Sequence, residues 1–306
     1  MDERGNGGAF TVSEGRGAGL TGHDLRSRRY ARPFHGVRVP ASTELDSVRA
    51  RAEALAVRLD SRTFFSHATA AALIGMPLPA RLSRAETEIE ICVFQPRRAP
   101  QLRNVRSHEV KPTGQAFTTV DRLRCIGPED AWVQLSGALS MDELVVASDW
   151  LVTGDMPYSG KPPLTTLDHL DRAIARHGRM RGVKKLRLAR DLTRYGSLSP
   201  QETRLRLLLV ESGFAEPALN YRVRNSSGGL VAMVDFAYPD ERVAIEYLGD
   251  HHRTDTQTYR KDIRRRDILA MAGWSTLFTT ADDLHDPRLF LTHLRRQLAS
   301  TGKMSS

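Results

Sequence analysis

Two carboxylates stand where a strand core is expected. In VDFAYPDERVAIEYLGDHHR, residues 234–253, Asp235 and Glu246 each interrupt a short apolar run, and the polar pair Asp240-Glu241 lies between the runs. If that pair forms a tight turn, or if the loop spans 239–242, the two runs pair so that Asp235 lies opposite Glu246, with Cβ atoms roughly 5 Å apart on one sheet face. A three-residue loop would put the acids on opposite faces, because side chains alternate with a period of two. The alternation assigns Val234, Phe236, Val243, Ile245 and Tyr247 to the face away from the acids, and the small Ala237 and Ala244 to theirs, leaving room for a ligand. Two carboxylates so placed repel unless one is protonated or a cation lies between them. A hard divalent ion such as Mg2+ or Mn2+ answers that need with oxygen ligands. Such an ion lowers the pKa of a bound water and polarises a phosphoryl oxygen, the requirements of phosphodiester hydrolysis. The alternative is a pair of strand acids bonded to arginines or backbone.

The elements that must carry these acids can be read around them. Ser199 caps a helix with Pro200 in its first position and Glu202 three residues after the cap, and Gly213 ends it. Leu205, Leu208 and Leu209 form its buried stripe. A hairpin about RNSSGG leads into the acidic stretch. A long basic helix closed by Gly273, the strand STLFTT, a turn of helix at ADDL and a last helix over 287–299 follow. The predicted order is α-β-β-β-α-β-α.

In that order the residues resemble a known family. SPQE at 199–202, VDFAYP at 234–239, IEYLGDHH at 245–252, RKDIRRRDIL at 260–269 and GWSTLF at 273–278 are similar to the motifs of very-short-patch-repair (Vsr-like) endonuclease domains of the PD-(D/E)xK superfamily. The resemblance covers about a third of the chain. It implies Asp235 and Glu246 as metal-binding acids, Glu202 as a helix acid reaching the same ion, and His252 as the group that transfers a proton or orients water. Glu202 is equally placed to close a capping box, so both roles stay open. Arg260, Arg264 and Arg265 on the basic helix are candidates for holding the scissile strand, or form a solvated face. One position departs from the family: Leu248 stands where the superfamily has Lys, so Asp250 or His252 must cover the loss or the site is weakened.

The remainder is less dense in signals. Residues 1–19 are Gly-rich and are expected to be a disordered tail. Residues 20–60 suggest a winged-helix-like segment: Thr21 and Asp24 cap a short basic helix bearing Arg28 and Arg29, and an extended ribbon turns at Gly36. This part is similar to the N-terminal region of AbiEi-type antitoxin-like proteins, which implies DNA binding. An α+β middle domain over 61–154 contains helices at 66–75, 129–139 and 141–152 and a strand 87–94 paired with 105–110. Residues 155–195 form a loop and a basic helical linker with Lys184 and Lys185 as candidate phosphate contacts, and 196–306 form the nuclease-like domain. The fold class is α/β: a C-terminal restriction-endonuclease-like mixed sheet flanked by helices, preceded by a mainly helical α+β region.

Composition sets limits on function. The net charge is +9, and residues 196–306 hold 15 basic against 14 acidic residues, so the excess lies in the first part. That asymmetry points to a polyanion partner or to solubility. No apolar run approaches the ~18 residues of a membrane span, so a cytoplasmic location without a membrane partner is expected. Cys92 and Cys125 are expected to be free thiols. Two functions follow: a Mg2+- or Mn2+-dependent DNA endonuclease, or a non-catalytic DNA-binding regulator of antitoxin type. A homodimer and an unidentified toxin partner are compatible with both.

Overall fold

The computed structural model describes residues 8–154, 160, 162–225, 227–249 and 256–301, with 256–263 described as helix only. The chain is mixed α/β and divides into two compact units, Met1–Val152 with Pro163–Thr193, and Thr153–Pro162 with Arg194–Ser306.

The first unit opens with structure where composition suggested a disordered tail. Strand β1 (Phe10–Thr11) runs into helix α1 (Val12–Gly17), whose start is fixed by a reciprocal capping box between Thr11 and Glu14. Phe10 packs edge-on against Tyr30, at 5.2 Å between centroids, so one aromatic pair anchors an otherwise polar segment. Strands β2 (Tyr30–Ala31) and β3 (Val37–Pro40) complete an antiparallel sheet of order β1-β3-β2. The expected ribbon is present, with Gly36 in the left-handed region at φ +79. The expected recognition helix is not. Thr21 and Asp24 do exchange capping bonds, but they close a 3-10 turn of only three residues, Asp24–Arg26, too short to lie along a major groove.

Helix α2 (Val48–Ala56), strand β4 (Phe64–Phe65) and the alanine-rich helix α3 (His67–Ile74), stopped by left-handed Gly75, follow. After the short α4 (Ala80–Ser83) come β5 (Ile89–Phe94), β6 (Val105–Val110), β7 (Phe117–Val120) and β8 (Leu123–Ile126). They form a mixed sheet of order β6-β5-β4-β8-β7, with β5 and β6 parallel in the pairing expected from sequence. Phe34, Val37, Val39 and Leu55 share one core with Phe64, Phe65, Ile91 and Ile126, so residues 20–60 are no separate domain. Helices α5 (Pro128–Gln134), α6 (Met141–Thr153), α7 (Leu167–His177) and α8 (Val183–Leu192) follow. Helices α7 and α8 belong to this unit rather than to a linker, and Leu170, Ile174, Leu186 and Ala189 are buried. Cys92 and Cys125 are free and buried, and burial pushes each thiol up to about 12.

The second unit follows the expected order. Helix α9 (Pro200–Glu211) is capped by Ser199, and Gly213 stands in the left-handed region just beyond it. Strands β9 (Ala218–Arg224), β10 (Leu230–Tyr238) and β11 (Val243–Tyr247), helix α10 (Thr256–Met271), strand β12 (Ser275–Thr279), and helices α11 (Ala281–His285) and α12 (Arg288–Thr301) complete it. The sheet has order β12-β11-β10-β9, parallel between β11 and β12 and antiparallel elsewhere. Leu205 and Leu209 of α9 and Phe290 and Leu294 of α12 pack with Phe236, Tyr238, Val243 and Ile245 in one core cluster. Leu269 of α10 packs with Val223, Val234, Ala237 and Ala244 in another. Helices thus flank both faces of a mixed sheet.

Candidate functional site

The register of the acidic hairpin is the one its sequence requires. Arg242 N–H bonds Pro239 O at 3.2 Å, closing a turn about Asp240 and Glu241. Phe236 pairs with Ile245, Ala237 with Ala244 and Tyr238 with Val243. The paired register ends at Phe236–Ile245, one residue short of Asp235 on β10 and Glu246 on β11. Asp235 Oδ2 accepts the N–H of Tyr247 at 2.8 Å, which fixes the carboxylate across the strand pair. Glu246 is 9% exposed.

The face occupied by the acids differs from expectation in two respects. Ala237 and Ala244 leave no open floor, because Leu269 of α10 packs with them. Val234 joins that same cluster instead of the opposite core. On the neighbouring β9, the pairs Leu219–Phe236 and Tyr221–Val234 leave Asn220 across from Asp235. Asn220 has φ +44, and a left-handed residue inside a strand interrupts the pleat on which strict alternation depends.

Glu202 joins the group from α9. Its own N–H bonds Ser199 Oγ at 3.1 Å, while its Oε2 accepts from Leu198 N–H at 2.9 Å and lies 3.4 Å from Asn220 Nδ2. The carboxylate therefore caps the chain before the helix, one residue earlier than a capping box. Burial, and after it the negative charge of Asp235, raise the Glu202 pKa to about 7. Asp235 is also raised by burial, opposed by the Tyr247 N–H and by the charge of Arg265. Glu202 thus supports the chain entering α9 through the Leu198 N–H, and the charge of Asp235 acts on it. Asn220 is the member that motif reading missed; its signal was an amide inside the otherwise strand-like run ALNYRV.

Arg265 of α10 reaches the same hairpin. Its Nε donates to Glu246 Oε1 at 2.7 Å, and its Nη2 donates to Met233 O. The guanidinium of Arg265 is thus bonded to the hairpin while its side chain stays 42% exposed. Leu248 itself extends the β11–β12 ladder through its N–H to Thr279 O at 2.8 Å. Arg264 is exposed. Asp250, His251 and His252 lie outside the described residues, as does the side chain of Arg260. Among the described residues, the ligand atoms of Glu202, Asp235 and Glu246 do not all lie within 4.8 Å of one another.

In the first unit, Arg28, Arg29 and Lys184 are exposed. Lys185 is committed to structure, its Nζ donating to Leu139 O at 2.6 Å. Arg176 and Arg190 are likewise held, by Asp130 at 3.0 Å and Asp171 at 2.6 Å. A basic cavity of ≈ 1120 Å³ also opens here, lined by Arg32, Arg38, Arg58, Arg97 and Arg103 with one carboxylate, Asp60. Asp60 is paired with Arg97. Burial, and then the nearby Arg32, pull the Arg38 pKa down. The linear sequence hides this cluster because its arginines come from five separated positions.

Two curated proteins of Mycobacterium tuberculosis, from strains CDC 1551 / Oshkosh and H37Rv, are each 27% identical to the chain over 130 residues and are both described as uncharacterized. The match takes in 42% of this chain and 48% of each relative, so the chain spans about half the length of the curated relatives it matches. No family model and no solved structure matches the chain.

Proposed function

We propose that the protein is a metal-dependent DNA endonuclease with a restriction-endonuclease-like, Vsr-like C-terminal module. The observation that carries this reading is that Asp235 and Glu246 stand on the two paired strands of one hairpin, with buried Glu202 raised in pKa by the charge of Asp235. Three carboxylates with one guanidinium leave negative charge in a poorly solvated place, and an all-oxygen donor set suits Mg2+ or Mn2+. When bound, the ion would supply an activated water and a polarised phosphoryl oxygen. The chain's own residues do the positioning. The Tyr247 N–H holds Asp235, the Leu198 N–H holds Glu202, and Glu202 exchanges its proton near neutral pH. Arg265 has to yield Glu246 for an ion to bind there. His252 is assigned proton transfer by its motif position alone. The cluster of arginines about the cavity in the first unit supports a polyanionic partner such as DNA.

The Arg265–Glu246 ion pair favours a second reading. A guanidinium already neutralises one acid, as it would in a DNA-binding regulator that keeps the C-terminal fold as a scaffold. Supercoiled plasmid separates the two. With Mg2+ or Mn2+ the parent is expected to nick it, and Asp235→Asn and Glu246→Gln are expected not to. Absence of metal-dependent nicking by the parent, or equal nicking by the variants, rejects the nuclease and leaves the regulator.

A further inference from the structure

A second cluster of metal-ligand chemistry lies in the first unit, away from any motif read in the sequence. His67 begins α3, Glu90 is on β5 and His108 is on β6, and one ligand atom from each lies within 4.8 Å of the other two. The strand pairing explains the convergence. Strands β5 and β6 are parallel with Glu90 across from Arg106 and Cys92 across from His108, so Glu90 and His108 are diagonal neighbours on one face. His108 Nε2 is 3.3 Å from Glu90 Oε1. Ligands bound to zinc at about 2.0–2.2 Å in a tetrahedron are separated by about 3.3 Å, so this edge already has the spacing an ion needs.

The surroundings are built as ligand supports are built. Glu90 Oε2 accepts the N–H of Ala68 at 2.8 Å. His67 Nδ1 lies 3.0 Å from Ser66 Oγ, which leaves Nε2 for another partner. Outer contacts of this kind orient metal ligands and fix the imidazole tautomer. The backbone of His67 has φ +49, an uncommon state for a residue with a side chain, and its N–H is held by Gln134 Oε1 at 2.9 Å. His67 also lines a cavity of ≈ 600 Å³ together with His177, whose Nε2 is buried and has no hydrogen-bond partner.

We propose that His67, Glu90 and His108 bind one Zn2+ ion, at the side of the cavity that His67 shares with His177. Two imidazoles and one carboxylate select a borderline transition ion over Mg2+ or Ca2+. The rings of His67 and His108 stack at 3.7 Å with an interplanar angle of 20°. Two lone pairs cannot meet one ion from that stack, so binding has to turn the rings apart and replace the His108–Glu90 hydrogen bond by two metal bonds.

The test uses the full chain, stripped with chelator and titrated with Zn2+ against a chromophoric competitor. One equivalent is expected to bind the parent and the Glu246→Gln variant alike, which separates this site from the acids of the second unit. Glu90→Gln and His108→Ala are expected to weaken binding at least about 100-fold, with His108→Gln as a second variant should His108→Ala not fold. Co2+ is expected to give the intense visible bands of a low-symmetry four-coordinate site in the parent and to lose them in Glu90→Gln. No stoichiometric binding by the parent, or undiminished binding by folded Glu90→Gln and His108→Gln, overturns the proposal.

Discussion

Arg265 reaches from α10 to β11 and donates its Nε to Glu246 Oε1 at 2.7 Å, so the acids of the hairpin are balanced by a residue nineteen positions downstream. Removing that guanidinium leaves Glu246, 9% exposed, beside Asp235 with no cation from Arg265. Arg265→Ala is expected to lower folding stability by roughly 1–3 kcal/mol, discounted toward the lower end because the Arg265 side chain is 42% exposed. Millimolar Mg2+ is expected to recover most of that loss, since it takes the place of the missing charge. Urea titrations with and without Mg2+ measure both; a loss that Mg2+ leaves untouched argues against an ion site.

Glu202 gives a pH signature. Its folded-state pKa of about 7 lies above the 4.5 of a free side chain, so the folded protein keeps a proton that the unfolded chain releases. This contribution is fully present below pH 4.5 and is lost as pH rises toward 7, by about 3 kcal/mol. Glu202→Gln cannot lose it. The variant is expected to match the parent near pH 5 and to exceed it in stability near pH 8, and Mg2+ is expected to narrow the gap. Parallel stability curves for the two proteins between pH 5 and 8 would contradict this.

Glu216 bridges two arginines, accepting from Arg194 at 3.0 Å and from Arg206 at 3.0 Å. Arg206 is 1% exposed, so removing the carboxylate takes one partner from a buried charge. Glu216→Gln is expected to cost about 2–4 kcal/mol, read as a drop in the denaturation midpoint. A change within about 0.5 kcal/mol, the usual surface value, would mean that the remaining contacts of Arg206 suffice.

DNA affinity should respond differently to lysines and arginines that sequence alone treats as equals. Arg28→Ala with Arg29→Ala is expected to weaken binding and to flatten the slope of log K against log salt by up to about 0.9 per lost phosphate contact. Lys185→Ala is expected to leave the slope unchanged and to lower stability, because Lys185 Nζ holds Leu139 O. Fluorescence anisotropy with a duplex across a salt series distinguishes them.

Local rules made much of the second unit legible. Ser199, Pro200 and Gly213 bound α9, and the turn at Asp240-Glu241 fixes the hairpin register, because caps and tight turns are set by a few adjacent residues. What stayed hidden was set by tertiary contact. Which side of α10 would face the sheet decided that Arg265 pairs with Glu246, and no period in RKDIRRRDIL specifies it. Val234 packs with Ala237 and Ala244 against strict alternation, which no residue type in its own strand announces. At the N-terminus the glycines set the expectation of a disordered tail, while the order comes from the Thr11–Glu14 cap and from the ring of Tyr30, twenty positions from Phe10.

Strand β9 stands at one end of the four-stranded sheet. An end strand offers a row of backbone donors and acceptors on which a second chain can template. Along β9 the buried Val223 is flanked by exposed Arg222 and Arg224. Two copies meeting edge to edge would bring four guanidiniums together, a repulsion that keeps the unit from polymerising through its sheet. Neutralising those two arginines removes that repulsion, and light scattering of the double alanine variant beside the parent is expected to show more self-association.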